Sequence, residues 1–212
     1  MGAVETLLTL VAVVASFAAG LLVWSALRGH GGPDAAGAAL SKGDFGAALA
    51  SGDDPRRGRR GWLAAAMAAR HLLLFDRAQA LTERLLAEDP DDAEALIERA
   101  LSAAWQRGPS AEADLARALA LRPDLAEPIA LHRAFLAWRQ GDLDGARRRF
   151  EEVGAALESK LRDDIGPGDG LFADWFLEAA LLWQASGDET RAAWSAAAYA
   201  ASAPQSRLRD LR

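Results

Sequence analysis

The sequence predicts an all-α protein, an apolar membrane helix followed by helix pairs in series, and three observations carry that prediction. Alanine dominates the 212 residues, and β-branched residues are scarce beyond the first thirty positions, which favours helices over a sandwich or barrel. The stretch from Leu7 to Leu27 has no charged residue. Beyond it, small residues, glycines and prolines recur at a spacing close to 33 residues.

The apolar stretch comes first in the chain. At about 1.5 Å per residue, Leu7 to Leu27 makes a helix of roughly 32 Å, matching a hydrocarbon core of ~30 Å. A cleavable signal peptide fits less well. Residues Met1 to Thr6 carry Glu5 and no Lys or Arg, and no small-x-small cleavage site precedes a polar start. Trp24 suits an interfacial position. Arg28 and Lys42 follow the span while the other flank has only its amino group, so the positive-inside rule favours a cytoplasmic body over a periplasmic one. Residues 1–29 are therefore read as an anchor, 30–57 as a linker with a degenerate helix pair, and 58–212 as a helical-repeat domain.

His30-Gly31-Gly32-Pro33 cannot extend a helix, and the repeats begin after it. Trp62, Ala66, Ala78 and Pro90 align with Leu96, Ala100, Ala111 and Pro123. A third pass gives Ala134, Ala146 and Phe150, and a fourth Ala180, Ala192 and Pro204. The dipeptides Gly43-Asp44, Gly141-Asp142 and Gly187-Asp188 mark turns, each with an alanine five residues after the glycine. Glycine can end one helix in the left-handed conformation and aspartate can cap the next. The turn at Arg107-Gly108-Pro109 reads as shortened. Glu158 stands where the third unit's proline would fall, Glu151 to Leu161 can prolong a helix, and Ile165 to Gly170 must break it.

This pattern of paired helices, small crossing residues and a closing proline resembles the tetratricopeptide repeat. The resemblance covers residues 34 to 204 and implies a right-handed solenoid whose first helices line a concave binding surface. Transferred position by position, it implies a partner-binding groove at Met67, Leu101, Phe135 and Leu181. One turn further on it adds Arg70, His71, Trp105, Trp138, Arg139 and Gln184. The chain has no Asn, so the carboxylate-clamp subtype, which needs one at the first of those later positions, is disfavoured.

Composition narrows the function. A formal net charge of −6 gives no surplus of cations for a nucleic-acid partner, and the absence of Cys removes thiol catalysis and Cys-type zinc sites. His30, His71 and His132 are isolated, and no Gly-Lys-Ser/Thr follows the glycines near position 168. No enzyme, cofactor or metal site is expected. The acidic run Glu88-Asp89-Pro90-Asp91-Asp92 reads as a helix start, where acids complement the dipole. The basic run Arg56, Arg57, Arg59 and Arg60 opposes the dipole of the helix it opens, and contact with anionic lipid headgroups is one account of it. The expected function is a membrane-anchored scaffold for a protein partner in a membrane complex. The alternative is an assembly chaperone for exported proteins, as a likeness to the tetratricopeptide components of cytochrome c maturation would imply.

Overall fold

A computed structural model describes residues 35–50, 58–108 and 110–211. Among them, ten α-helices form five consecutive pairs, and there are no strands. The pairs are α1 (Ala35–Ser41) with α2 (Phe45–Ala50), α3 (Gly58–His71) with α4 (Phe75–Glu88), and α5 (Ala93–Trp105) with α6 (Ala111–Leu121). Next come α7 (Ala126–Arg139) with α8 (Leu143–Ser159), and α9 (Ala173–Ala185) with α10 (Glu189–Ser202). The arrangement is repeat-like. Among the described residues no helix is long and apolar enough to cross a membrane. The predicted span Leu7 to Leu27, the linker through Pro33, and Arg56 and Arg57 lie outside the described residues.

One backbone device makes each of the five pairs. A residue with positive φ follows the first helix: Gly43 (68°), Leu73 (62°), Arg107 (59°), Gly141 (85°) and Gly187 (80°). The next N–H then donates to the carbonyl five residues earlier, from Asp44 to Ala39, Leu74 to Ala69, Gly108 to Ala103, Asp142 to Ala137 and Asp188 to Trp183, at 2.7 to 3.0 Å. This bond satisfies a carbonyl that the helix end would otherwise orphan. The aspartates also cap as the sequence implies. Asp44 accepts from Ala47 N–H, Asp142 from Gly145 N–H and Asp188 from Arg191 N–H. The Arg107 turn is a correction: it keeps the common bond and is longer than its sisters, with α6 starting only at Ala111.

Where the third unit lacks its proline, α8 runs on to Ser159, passes through a π turn at Lys160–Ile165 and stops at Gly166, whose φ is 69°. A short 3-10 turn, Gly170–Phe172, leads into α9. The first helices of the last four pairs, α3, α5, α7 and α9, share one core, and the second helices cover it. Ala66, Ala78, Ala100, Ala134 and Ala146 are buried at the crossings, with Phe45, Phe135, Phe150 and Phe176 filling the space between. Each fully buried phenylalanine removes enough apolar surface to favour folding by about 1.5–3 kcal/mol.

The series does not stay open. Its end returns to its beginning, where the α1–α2 pair packs on α3 and also meets the last pair. A Cβ on Gly170 would collide with the Leu40 carbonyl, and one on Gly43 would lie 2.6 Å from the Ser202 carbonyl. Gly46 N–H donates to Gln205 Oε1 at 3.3 Å. After α10 the chain runs back across the C-terminal ends of inner helices. Arg207 N–H donates to the His71 carbonyl of α3 at 2.8 Å, and Arg139 of α7 donates to the Leu211 carbonyl at 3.3 Å. Leu208 is completely buried in that course.

Candidate functional site

Closure brings ionisable side chains from all four inner helices into the apolar core. Arg70 of α3 is fully buried and sits between two carboxylates. Its Nε and Nη2 donate to Glu98 of α5 at 2.7 and 2.8 Å, and its Nη1 and Nη2 donate to Asp174 of α9 at 2.6 and 2.7 Å. Paired forks of this kind are the geometry a guanidinium satisfies best. Burial works against the charge on both Arg70 and Asp174, but their mutual attraction outweighs it: Arg70 holds its proton more tightly and Asp174 is kept well below the usual carboxylate range.

A second pair lies on α7 and α9. His132 Nδ1 and Glu178 Oε2 are 2.7 Å apart, and both residues are buried. Burial alone would lower the histidine, yet the Glu178 carboxylate raises it above its ordinary value. Burial raises Glu178 against the pull of His132. Its second oxygen, Oε1, has no hydrogen-bond partner among the described residues. The pair therefore keeps a proton to higher pH than an isolated imidazole would.

A third group fastens the C-terminal segment. His71 Nε2 lies 3.5 Å from Asp174 Oδ1, and its Nδ1 lies 2.9 Å from Ser206 Oγ. Tyr199 OH donates to the same Ser206 oxygen, as does Leu208 N–H, while Ser206 Oγ is also 3.3 Å from the His71 carbonyl. Aspartate, histidine and serine are the residue types of a nucleophilic triad. Here the serine is 1% exposed and already ringed by partners from its own chain, so the arrangement clasps a backbone segment rather than presenting an attacking oxygen.

The groove expected from the sequence is largely interior. Leu101, Phe135 and Leu181 do occupy one register on successive inner helices, but they are core residues, and Met67 is half-buried. Arg70 and His71 belong to the buried network just described. Trp105 is buried against Phe135, with ring centroids 4.9 Å apart, and Trp138 lies half-buried on the other side of Phe135. Arg139 lies over Trp105 and donates to the Trp105 carbonyl at 2.7 Å, so it ties α7 to α5. Gln184 is exposed. The expectation of an open concave face is thus corrected for Arg70, His71, Leu101, Trp105, Phe135 and Leu181, which are buried in the described structure.

The basic run also has a structural partner. Arg59 donates through Nε and Nη2 to both oxygens of Asp92, at 2.6 and 2.7 Å, and through Nη2 to Glu94 at 2.6 Å. Asp92 meanwhile caps α5 by accepting from Glu94 and Ala95 N–H. The Arg59 cation at the start of α3 is therefore offset by the acidic start of α5. Arg60 is exposed.

Reading the sequence alone did not single out Glu98, Asp174, Glu178 or Ser206. One signal was available: Asp174 and Glu178 stand four residues apart on one face of an otherwise apolar helix, ADWFLEAALLWQA. No family model matches the chain, and no curated protein or solved structure matches it either.

Proposed function

We propose that this chain is a membrane-anchored, tetratricopeptide-like scaffold that holds a protein partner for the assembly or recruitment of a membrane complex, and that its task is binding rather than catalysis. The observation that carries this reading is the handling of the C-terminal segment. Helix ends of α3 and α7 hold the last stretch of chain by its backbone at Arg207 N–H and the Leu211 carbonyl and by the Ser206 side chain, through His71 and Arg139. A body built from helix ends and carbonyls in this way suits polypeptide ligands.

The partner surface is what closure leaves reachable: Gln184, with the half-buried Trp138 and Met67 contributing their outer faces. The Leu7 to Leu27 stretch supports an anchor, and Arg28 and Lys42 support a cytoplasmic body. Photocrosslinkers placed at Gln184 and at Trp138 in native membranes, followed by mass spectrometry, test the reading. A shared protein captured from both positions and not from Arg60 is expected. The same background from all three would sink the scaffold role. Reporters fused after residue 212 would check the side of the membrane, and activity only outside the cytoplasm would overturn that assignment.

A further inference from the structure

In four of the five turns between paired helices, the left-handed position and the one after it are held by glycine, aspartate or arginine. The α3–α4 turn departs from all of them. Leu73 occupies the left-handed position, which is strained for an L-residue and free for glycine. Leu74 stands where the sister turns have Asp44, Gly108, Asp142 and Asp188, and it leaves α4 without a side-chain cap. With Leu72 and Phe75 this makes four consecutive large apolar residues, of which Leu74 is 44% exposed and the other three are half-buried with one side against the core. The more exposed Leu143 of the α7–α8 turn is, by contrast, a single apolar residue between Asp142 and Asp144. Local rules are given up here for apolar surface facing water.

Its surroundings suit one occupant. Phe45, at the start of α2, stacks on His71 at 4.3 Å, so the turn lies beside the α1–α2 pair. That pair begins at Ala35, and only residues 28–34 separate it from the end of the apolar stretch at Leu27. A segment of that length spans at most about 28 Å, so an anchor at Leu7 to Leu27 would keep this pair near the bilayer. Arg207 is bonded by its backbone to His71, next to the turn, and its side chain is exposed, as are those of Lys42 and Arg209. Asp44 and Asp210 stand near these cations in the chain and Asp76 beside the turn, so apolar burial rather than net charge supplies the attraction.

We propose that the Leu72-Leu73-Leu74-Phe75 turn inserts into the interfacial region of the bilayer that holds the anchor, fixing the tilt of the body on the membrane. This rests on the anchor reading. Insertion of a few apolar side chains at the headgroup boundary, with cations at the rim, is the chemistry of interfacial binding.

The chain has no Cys, which allows clean single-site labelling. The full-length protein is reconstituted in phosphatidylcholine–phosphatidylglycerol vesicles with an environment-sensitive fluorophore at Leu74→Cys, Leu121→Cys or Ser16→Cys. Quenching by acyl-chain nitroxide lipids is then measured. Leu121 is likewise exposed but lies at the end of α6, away from the turns between paired helices. The label at 74 is expected to be quenched at least about twofold more than that at 121, and to shift to the blue. Equal quenching at 74 and 121 with strong quenching at 16 overturns the turn's role and leaves the anchor standing. No quenching at any site overturns both. Replacing Leu73-Leu74 by Gly-Asp, as in the sister turns, should lower quenching of a label at Asp76→Cys while the fold is kept. Unchanged quenching there also overturns the proposal.

Discussion

Among the described residues, the central charge network and the α3–α4 turn both break the ordinary rule of burial, and they break it in opposite directions. At the centre, Arg70, Glu98, His132, Asp174 and Glu178 lie in an apolar core. At the α3–α4 turn, Leu74 lies in water beside three half-buried apolar neighbours. The central groups are matched almost atom for atom by partners from other helices, so their desolvation is offset within the chain. The exposed face of Leu74 has no such cover among the described residues. A rule broken with compensation holds a fold together; a rule broken without it points outward.

The largest expected effect comes from removing one side of the central compensation. Arg70→Ala leaves Glu98 and Asp174 buried and without their shared cation, and should cost about 3–5 kcal/mol, read as a lowered denaturation midpoint in urea. A loss below about 1 kcal/mol would mean that water or rearrangement already satisfies those acids.

Closure itself is tested next. Gly170→Ala pushes a methyl group into the Leu40 carbonyl and should cost ~1–3 kcal/mol by overpacking, whereas alanine at Gly166 meets open space and strains only its own backbone. If the two substitutions were equally mild by thermal melting, the contact between the first and last pairs would not support the fold.

The charge network also gives stability a pH dependence. His132 is raised above its ordinary value near 6.5, so its contribution is fully present below that pH and is lost as pH rises through the folded-state value. Glu178, raised by burial, has the same sign. Asp174 is depressed, so its contribution is present above its ordinary value near 3.8 and is lost only in stronger acid. The melting temperature should therefore fall as pH rises above about 6.5, and His132→Gln should flatten that slope. A slope unchanged in the variant would assign it elsewhere.

The smallest effect is at the edge and has the opposite direction. Leu73→Gly relieves the left-handed leucine and should stabilise the protein in detergent solution by up to about 1 kcal/mol, measured as a raised urea midpoint. Arg107→Gly, at the equivalent position of the next turn but one helix pair away, is the matched control and should gain a similar amount. A loss at 73 beside a gain at 107 would show that Leu73 contributes more by packing than its backbone costs.

Much of this was legible from local pattern. Gly43-Asp44, Gly141-Asp142 and Gly187-Asp188 marked their turns because positive φ and helix capping each favour one residue type. The break at Gly166 and the run-on of α8 followed from the same logic. Leu73 hid one turn of the same kind, because a leucine in the left-handed position gives no sequence signal, while the Arg107-Gly108-Pro109 turn was visible but its length was not. The groove failed for a different reason. Register aligned Leu101, Phe135 and Leu181, but all three are core residues, and the burial of such a face depends on contacts like that of Arg70 with Asp174, 104 residues away. Periodicity carries no information about a contact of that span. Phe135 and Trp105 are buried against each other and Arg139 lies over Trp105, contacts between helices that periodicity does not specify.

Closure has one more consequence. A linear array of helix pairs can gain or lose a unit, because each pair touches only its neighbours. Here the first pair is fitted to the last through Gly43 and Gly170, and Arg70 must reach both α5 and α9 at once. An inserted or deleted pair would part those contacts. The number of repeats in this molecule is therefore not a length that can drift but a dimension set by its own circumference.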